Sequence, residues 1–491
     1  MGIGIIDFGT YIPYYRVSRA AIGAAWKMEQ AAPLLLGERS VAGYDEDSLT
    51  MATEAALHAL AGQEGTAVDA LYFASTTPPF GEKAAAPAVA MACDLDVARA
   101  LDIGDSLRAG TGALSLAFDA LKAGTARQAL VAAADMRRGE PGSLLEAFSG
   151  DGAAALLLGS GDGVLAELLG SYHLSDPVID TWRRSGSRYL HTDDEAYTNE
   201  VGYFALVDRA VKGLLQVTGV EGSAVAGTAV YTPDGRTYMK LAKSSPLAAS
   251  FGKMGKAGPA ARLLMGAGNL GTAFPLAQLA LLLETAVPGD LLALIGYGDG
   301  ADAYLFRVTE AIAQRPTKRP TQAWLDSKTE LPYTLMHYFR ENWQEKPLFP
   351  TYTDPWTSLP LLHRERDELL RFHAQQCGNC GALWWPHRPN CYECGAQEGF
   401  SSVRLSGRGR VASFVAEWAI PTPLPPVGMI VADTPEGARI TNPSTDGDPR
   451  QLEVGAAVEF ALRIFHTAKD LPHYSWKIRK VRGPLHYRQK E

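Results

Sequence analysis

The chain has 491 residues, of which 46% are hydrophobic and 20% are charged, and its formal net charge is −8. This length predicts more than one domain with a sizeable core, and the acidic balance argues against a broad basic face for nucleic acid. No charged-then-apolar leader opens the sequence, and apolar runs such as 276–283 are too short to span a bilayer. We therefore expect a cytoplasmic protein without a membrane segment.

The first part of the chain contains a duplicated pattern. In its first half, a helix-like run at 47–60 precedes an apolar strand that ends at Thr77. In its second half, a run with helical spacing precedes TAVYTP, which ends at Thr232-Pro233. The segments RAGT (108–111) and NLGT (269–272) then each begin a predicted helix that is followed by an apolar strand. Helices that alternate with buried strands predict a layered α/β fold, with a site where the two halves meet.

Composition changes after residue 312, where AQRPTKRPTQ is typical of a linker. We predict domain-like segments at 1–165 and 166–312, a linker at 313–325, a helical docking segment at 326–376, a small cysteine-rich unit at 377–396 and a final domain at 397–491. Residues 331–343 carry apolar and aromatic side chains at helical spacing, which favours a docking helix.

Four of the five cysteines lie in CGNCGALWWPHRPNCYEC, as Cys377, Cys380, Cys391 and Cys394. Two CxxC pairs predict a tetrahedral Zn²⁺ site, and four thiolates leave no open position, so the zinc would be structural. The alternatives are unlinked thiols or two disulfides. Cys93 is the remaining cysteine, and this sparse, clustered usage fits a reducing compartment.

Residues 1–310 resemble the thiolase superfamily, and in particular its hydroxymethylglutaryl-CoA synthases. The motifs that carry the resemblance occur in family order: GIGIIDFGTYIPYYRVSR, YDEDSLTMATEAA, LRAGTGAL, YTPDGRTYMKLAK and GNLGTAFPLAQLALLLE. The resemblance implies a duplicated thiolase fold with layers in the order α/β/α/β/α. It also implies a coenzyme A thioester as substrate.

Residues from about 326 to 485 resemble a second family, whose members place a rubredoxin-like zinc ribbon ahead of an OB-fold β-barrel. The matching segments are YTLMHYFRENW, CGNCGALWWPHRPNCYECG, SGRGRVASFV and MIVADTPEGARITN. Members commonly accompany thiolase-like proteins as separate chains. The resemblance therefore implies a thiolase-like body fused to a domain that is associated with acyl-CoA chemistry.

The thiolase-like part departs from the synthase pattern at three of four catalytic positions. The nucleophilic cysteine falls on Leu107, the histidine on Tyr231 and the glutamate near Thr76, while the asparagine is kept as Asn269. Leucine cannot form a thioester. Cys93 lies in an Ala-rich helix upstream of Leu107, and we interpret it as a buried small residue.

We predict Tyr231 and Asn269 as catalytic residues. Tyr231 would be an acid/base in aldol chemistry, which needs no thiolate. We also predict that Arg108, Gly298 and Gly300 bind substrate, because the turn at 298–300 resembles one that supplies backbone N–H groups near the oxyanion. The residues leave open that Tyr231 is only a buried strand-end tyrosine, that Asn269 is a helix cap and that the glycine turn is a plain turn.

Three functional hypotheses follow. In the first, the chain takes part in aldol, retro-aldol or Claisen chemistry on acyl-CoA without its own nucleophilic cysteine. In the second, it is a non-catalytic subunit that supports a cysteine-bearing thiolase. In the third, which we rank last, a partner donates the cysteine. We expect a homodimer or a hetero-complex with a thiolase, and neither a nucleic-acid nor a membrane partner. Basic candidates for the CoA phosphates are Lys318, Arg319, Arg404, Arg408 and Arg410, and the alternative for any single one of them is a solvated basic face.

Overall fold

The structure is a computed structural model, and it describes residues 2–63, 67–104, 106–251, 258–316, 318–340, 358–420 and 422–483. Residues 341–357 of the predicted docking segment, with Trp343 among them, and residues 484–491 of the last predicted domain lie outside the described residues.

Within the described residues, the first half of the body contains seven strands and five α-helices. Strands β1 to β7 are Ile3–Tyr11, Tyr15–Ser18, Glu38–Val41, Ala70–Ala74, Arg99–Ile103, Ala129–Met136 and Asp151–Ser160. Helices α1 to α5 are Arg19–Ala25, Ser48–Leu60, Ala86–Ala92, Ala109–Lys122 and Leu144–Phe148. β6 and β7 are buried almost along their whole length, because helices or other strands cover them on both sides.

The described part of the second half contains six strands and five α-helices. Strands β8 to β13 are Ala166–Ser175, Thr181–Trp182, His191–Thr192, Val225–Val230, Leu291–Tyr297 and Gly300–Val308. Helices α6 to α10 are Glu195–Tyr197, Ala205–Thr218, Gly235–Ser244, Pro259–Gly266 and Phe274–Leu283. A π-helical segment, Thr198–Phe204, joins α6 to α7.

Nine strands form one mixed sheet in the order β11-β12-β13-β8-β1-β7-β6-β4-β5. The two halves repeat the same pattern of strand pairing. In the first half, β1 pairs antiparallel with β7, β7 pairs antiparallel with β6, and β6 pairs parallel with β4. In the second half, β8 pairs antiparallel with β13, β13 pairs antiparallel with β12, and β12 pairs parallel with β11. α4 and α10 pack on each other and on strands of both halves, while α2 covers β1, β6 and β7 and α7 covers β8 and β13. The N-terminal ends of α4 and α10 therefore lie between the halves.

The C-terminal region, as far as the structure describes it, adds four α-helices and nine strands. Helices α11 to α14 are Thr321–Asp326, Tyr333–Phe339, Leu359–Arg364 and Arg366–Leu369. Strands β14 to β22 are Thr329–Glu330, His373–Cys377, Leu383–Trp384, Phe400–Arg404, Arg408–Glu417, Val427–Asp433, Arg439–Pro443, Ala457–Ala468 and Leu471–Lys480. The last five form an antiparallel sheet in the order β20-β19-β18-β21-β22, and a parallel bridge between Ser444 and Ile478 links its two edges.

The C-terminal region packs tightly onto the body. α12 buries Phe339 against the rings of Tyr15 and Tyr44, and β14 pairs with β2. Lys318, in the predicted linker, is buried and pairs with Asp7 of β1 at 2.6 Å. Within the described residues, no helix combines the length and the apolar composition that crossing a bilayer requires.

Candidate active site

The site lies where the two halves meet, at the turn that precedes α4. Leu107 and Arg108 come directly before α4, and the 298–300 turn joins β12 to β13 beside them. A Cβ on Gly298 would lie 2.6 Å from Ser106 Oγ and 3.1 Å from the Leu107 backbone nitrogen, so this approach requires glycine. Leu107 itself is half-buried and packs against the main core.

Cys93 offers no replacement for a nucleophile. It is buried at the C-terminal end of α3, where burial raises the pKa of its thiol to about 12. A thiol in this environment stays protonated and unreactive at neutral pH.

Tyr231 lies directly after β11, in the buried centre of the site. Its N–H donates to the Ile295 carbonyl at 2.9 Å, and its carbonyl accepts the Tyr203 hydroxyl at 2.6 Å. Its ring stacks on that of Tyr297, with 6.0 Å between the centroids. The side chain is only 4% exposed. The backbone and the neighbouring rings therefore hold the phenol in place.

Burial raises the pKa of the Tyr231 phenol. The Arg137 guanidinium and side-chain hydrogen bonds with Asn269 and Arg137 offset part of that rise, whereas the nearby Asp180 adds to it. Because the balance is a raised pKa, the phenol is protonated at neutral pH, which suits a proton donor.

Asn269 lies in the turn before α10 and is buried. Its Nδ2 donates to the Thr232 carbonyl at 2.8 Å, and its Oδ1 accepts the Gly271 N–H at 2.9 Å. The side chain thus holds the 269–271 turn in shape and also contacts the Tyr231 phenol. The structure brings these two sequence-predicted residues together.

Thr76, near the position that the sequence comparison predicts for the family's glutamate, hydrogen-bonds to the buried carboxylate of Asp135. Its backbone N–H donates to Asp135 Oδ1 at 2.7 Å and its hydroxyl lies 3.0 Å from the same oxygen. The other Asp135 oxygen accepts the Thr272 N–H at 2.8 Å. The Asp135 carboxylate therefore links residues 75–77 to residues 269–272 and holds these two segments together at the base of the site.

A cavity opens beside Tyr231. Its lining residues are Leu144, Leu145, Phe148, Asp180, Thr181, Thr192, Glu195, Thr198, Asn199, Tyr203, Tyr231, Pro233, Asp234, Arg236 and Tyr297. The short strands β9 and β10 and the π-helical segment form one wall of this cavity.

Asp180 is the cavity carboxyl that sequence reasoning missed. Burial raises its pKa, and Asp299 adds to the rise, while the Thr181 N–H, Tyr297 and Arg137 oppose it. The Tyr297 hydroxyl has no partner with good hydrogen-bond geometry in the described structure, although it lies close enough to Asp180 to affect its pKa. The only local signal for Asp180 is its place after the strand β8, and no spacing links it to Tyr231.

Arg137 is a second missed residue. It follows β6, is 4% exposed and contacts Tyr231. Sequence shows only an arginine pair, Arg137-Arg138, after a buried strand. Such a pair is more typical of a solvated strand end, which explains why it gave no signal.

The predicted substrate-binding residues all lie near Leu107. Arg108 donates to the Leu174 carbonyl at 2.7 Å and lies 3.6 Å from Asp302, so its guanidinium is engaged within the protein. The Gly298 N–H donates to the Gly300 carbonyl at 3.0 Å. The substrate contacts of these residues stay a prediction.

Three of the basic residues considered for CoA phosphates have other partners. Lys318 pairs with Asp7, and Arg319 pairs with Glu459 at 2.8 Å, both in buried positions. Arg404 donates to the carbonyls of Arg371 and Ala92. Our prediction is wrong for Lys318 and Arg319, because buried ion pairs leave no face for a phosphate.

The four clustered cysteines lie together in two turns of matching geometry. Their sulfur atoms lie within 4.8 Å of one another, with 3.6 Å between Cys377 and Cys394 and between Cys380 and Cys391. The Cys377 N–H donates to the Ala382 carbonyl and the Cys391 N–H to the Ala396 carbonyl, at 2.9 and 2.8 Å. Tetrahedral Zn–S bonds of about 2.3 Å require sulfurs roughly 3.8 Å apart, so the cluster fits zinc.

Comparison with known proteins gives close agreement over the body. The chain is 31% identical over 338 residues to the hydroxymethylglutaryl-CoA synthase of Aeropyrum pernix, a match that covers 67% of this chain and 92% of that protein. It is 31% identical over 347 residues to the enzyme of the same name from Methanocaldococcus jannaschii, covering 69% and 98%. No protein-family profile matches the chain.

Solved structures show the same fold. MvaS in complex with 3-hydroxy-3-methylglutaryl coenzyme A aligns with a TM-score of 0.60 at 21% identity, covering 72% of this chain and 94% of that one. An HMG-CoA synthase complexed with CoA aligns with a TM-score of 0.62 at 20% identity, covering 69% and 90%. The body is therefore a thiolase-like α/β fold. Within that class, the chain belongs to the hydroxymethylglutaryl-CoA synthase family.

Proposed function

We propose that the chain binds an acyl-CoA and takes part in making or breaking a carbon–carbon bond of its acyl group, without a covalent thioester on the protein. One observation carries this proposal. A leucine stands at the turn before α4, while a buried, protonated phenol, Tyr231, lies with Asn269 beside a cavity that contains the carboxyl group of Asp180. These groups suit proton transfer, and none of them suits acyl transfer to the protein.

The chemistry is aldol addition or its reverse. In the forward direction the Asp180 carboxylate removes a proton from the carbon next to the thioester carbonyl, and the resulting enolate carbon attacks a second carbonyl carbon. The C–C bond forms as the carbonyl π electrons move to oxygen, and Tyr231 donates its phenolic proton to that alkoxide. Retro-aldol cleavage runs the same transfers backwards. Claisen condensation in the synthase manner would need a thiolate from another chain.

We propose that the C-terminal region is a zinc ribbon followed by an OB-type barrel. Cys377, Cys380, Cys391 and Cys394 would hold Zn²⁺ in a closed, structural site. The strand order β20-β19-β18-β21-β22 and the bridge between its edges support a small closed barrel. Both units would support the body rather than carry the reaction.

We also propose that the chain works as a homodimer or with a thiolase partner. The edge strand β5 pairs only with β4 among the described strands. Leu101 on β5 and Leu116 on α4 are each 44% exposed. An unpaired sheet edge with exposed leucine side chains is a natural site for pairing with another chain.

The experiment that tests the function is an assay of purified protein with a panel of β-hydroxyacyl-CoA esters, in which the release of acyl-CoA and of the carbonyl product is followed. Tyr231→Phe should lower turnover by about 10²- to 10⁴-fold, because the phenolic proton is lost. Tyr238→Phe is the matched control, since Tyr238 is a buried phenol outside the cavity lining.

The alternative, a non-catalytic subunit, is favoured by Leu107 in the nucleophile position. To separate the two, the assay is repeated with a cysteine-bearing thiolase added. If the complex is active and Tyr231→Phe leaves that activity intact, the chain is a supporting subunit. Leu107→Cys, followed by mass spectrometry after incubation with acyl-CoA, shows whether the cleft still accepts a thioester.

A further inference from the structure

Arg137 is a buried cation whose charge no salt bridge among the described residues neutralises. Its side chain lies at 4% exposure, its Nε has no hydrogen-bond partner, and within the described part of the chain its guanidinium makes no ion pair at 4.0 Å or less. A charged group in this setting is costly, and proteins normally pair it.

The other buried arginines show how consistently this fold supplies partners. Arg16 and Arg19 donate to three or more backbone carbonyls each, and Arg39 and Arg340 both pair with Asp151. Carboxylates pair with the remaining ones, which are Arg319, Arg463, Arg479 and Arg482. Several of these also leave Nε unpaired, so within the described residues Arg137 is distinguished by having no carboxylate within 4.0 Å.

The position of Arg137 is equally specific. A Cβ on Gly271, which has φ of +61°, would lie 2.9 Å from Arg137 Cδ, so a glycine leaves the room for this side chain. The guanidinium lies close enough to the Tyr231 phenol and to the Asp180 carboxyl to lower the pKa of both groups against the rise that burial causes. It therefore lies among the groups that the proposed reaction uses.

We propose that Arg137 is a further catalytic residue, whose guanidinium binds the oxyanion that the substrate develops while the C–C bond forms or breaks. This inference rests on the proposed function. Proton removal places negative charge on the thioester oxygen of the enolate, and carbon–carbon bond formation moves it to the alkoxide oxygen, which Tyr231 then protonates. A cation already in place and dehydrated stabilises such charge without reorganisation. In the described part of the resting protein no carboxylate lies within 4.0 Å of the guanidinium, and the oxyanion of the substrate exists only during the reaction.

The test uses two stable CoA derivatives of nearly equal shape. S-carboxymethyl-CoA carries a carboxylate one carbon further from sulfur than the thioester oxygen, which brings a negative charge to the reacting end of the acyl group, and S-carbamoylmethyl-CoA replaces that carboxylate with a neutral amide. Titration calorimetry of the wild-type protein should show at least about 10-fold tighter binding of the carboxylate, because charge-assisted hydrogen bonds are the stronger ones. Arg137→Met should bind both with equal affinity, and Arg137→Lys should keep part of the preference.

The outcomes separate this inference from the function on which it rests. Wild-type protein that binds neither derivative overturns the proposed function. Wild-type protein that binds both, with the same affinity ratio in Arg137→Met, leaves the function in place and overturns the role of Arg137. Turnover should fall in kcat with KM nearly unchanged in Arg137→Met, since the contact forms only as charge develops.

Thermal unfolding supplies a second readout. Arg137→Met should unfold at the same temperature as the wild type or higher, because it replaces an unpaired buried charge by an apolar side chain. Arg340→Met is the matched control and should unfold at a clearly lower temperature, since it removes the closer of the two arginine partners of the buried Asp151 carboxylate. An equal loss in both variants would show that Arg137 is a structural ion-pair partner and would overturn the proposal.

Discussion

The carboxyl group of Asp180 lies in the cavity wall next to the tyrosines. Burial raises its pKa above the ordinary value of 3.8, with Asp299 adding to the rise. A carboxylate with a raised pKa is a stronger base, and it has to be deprotonated to remove a proton from carbon. Activity should therefore be lost as the pH falls through this raised pKa.

We predict that Asp180→Asn lowers kcat for aldol cleavage or addition by about 10²- to 10⁴-fold. Asparagine keeps the shape and still accepts the Thr181 N–H, so the fold should be unaffected. The pH–rate profile of the wild type should show an acidic limb that is missing from the residual activity of the variant.

Asp176→Asn is the matched control for this change. Asp176 lies in the same segment but forms an exposed pair with Arg209 at 3.3 Å, so its loss should change neither rate nor stability measurably. Equal rates for Asp180→Asn and the wild type would exclude Asp180 as the base.

Among the elements, the π-helical segment Thr198–Phe204 determines the shape of the cavity wall. Such segments are uncommon and often occur at functional sites. It places the Tyr203 hydroxyl on the Tyr231 carbonyl, and it brings Gly202 against Tyr297. The segment therefore helps to hold the Tyr231 backbone in place through Tyr203, and the Tyr231 ring through Tyr297.

Gly202→Ala should disturb this support. A Cβ there would lie 2.6 Å from Val178 Cγ1 and 2.9 Å from the Tyr297 hydroxyl, so the tyrosine must shift. We expect a loss of about 1–3 kcal/mol in the free energy of unfolding, as for other overpacked sites, together with lower turnover. Gly112→Ala in α4, where no atom lies within 4 Å of the added Cβ, should not destabilise the fold. Denaturant titration compares the two variants.

The second element with a testable role is the pair of cysteine turns, which contain Cys377, Cys380, Cys391 and Cys394. Removing one ligand should release the proposed zinc, so Cys391→Ser should be purified without it, as measured by metal analysis. The region around the turns should then become sensitive to protease, because the metal holds a unit with little core of its own. Cys93→Ala should keep the metal. Wild-type protein that contains no zinc and is insensitive to chelators would contradict the proposed site.

At the scale of the whole molecule, a buried network of charges joins the barrel to the body. Arg463 of β21 lies 3.1 Å from Glu54 of α2 and 2.9 Å from Asp446. Arg479 of β22 reaches the same two carboxylates at 2.9 and 3.0 Å. Breaking such a network leaves an uncompensated buried charge. We therefore expect the body and the barrel to unfold together, as one calorimetric transition.

Asp446→Asn should lower the free energy of unfolding by about 3–5 kcal/mol. Asparagine tolerates the left-handed backbone of this residue, with φ of +51°, so the change removes charge and little else. Asp433→Asn is the control, because the Asp433–Arg439 pair of the same barrel is largely exposed and should contribute under about 1 kcal/mol. Similar losses in both variants would show that the network is not the main link.

The same network predicts how stability depends on pH. Burial would raise the pKa of Asp446, but the attraction of Arg463, Arg479 and Arg482 outweighs it and lowers that pKa. In the same way, the attraction of Arg479 and Arg319 outweighs burial at Glu459 and lowers its pKa to about 2. A carboxyl whose folded pKa is depressed contributes stability above its unfolded pKa and loses it as the pH falls through the folded one. Unfolding midpoints should therefore drop below about pH 4, and less so in Asp446→Asn.

Much of the fold followed from local patterns. The duplicated helix–strand order and the motifs of the body led to the thiolase-like fold that the relatives and the solved structures support. The prediction was wrong where it depended on ion-pair partners from distant parts of the chain. Lys318 and Arg319 lie in a Pro-rich stretch that is typical of an exposed linker, but both are buried and pair with Asp7 and Glu459. Nothing in the spacing of those residues indicates the distant carboxylates that pair with them.

The sequence by itself determined the family, the four clustered cysteines and the absence of a cysteine at Leu107, because each of these is a matter of residue identity at a short, fixed spacing. Only the tertiary structure decided that Arg137 and Asp180 belong to the site of Tyr231. They follow different strands, β6 and β8, and the packing of the two halves brings them together. Burial then gives them their chemistry, since a cation without a partner and a carboxyl with a raised pKa exist only where the surrounding chain excludes water.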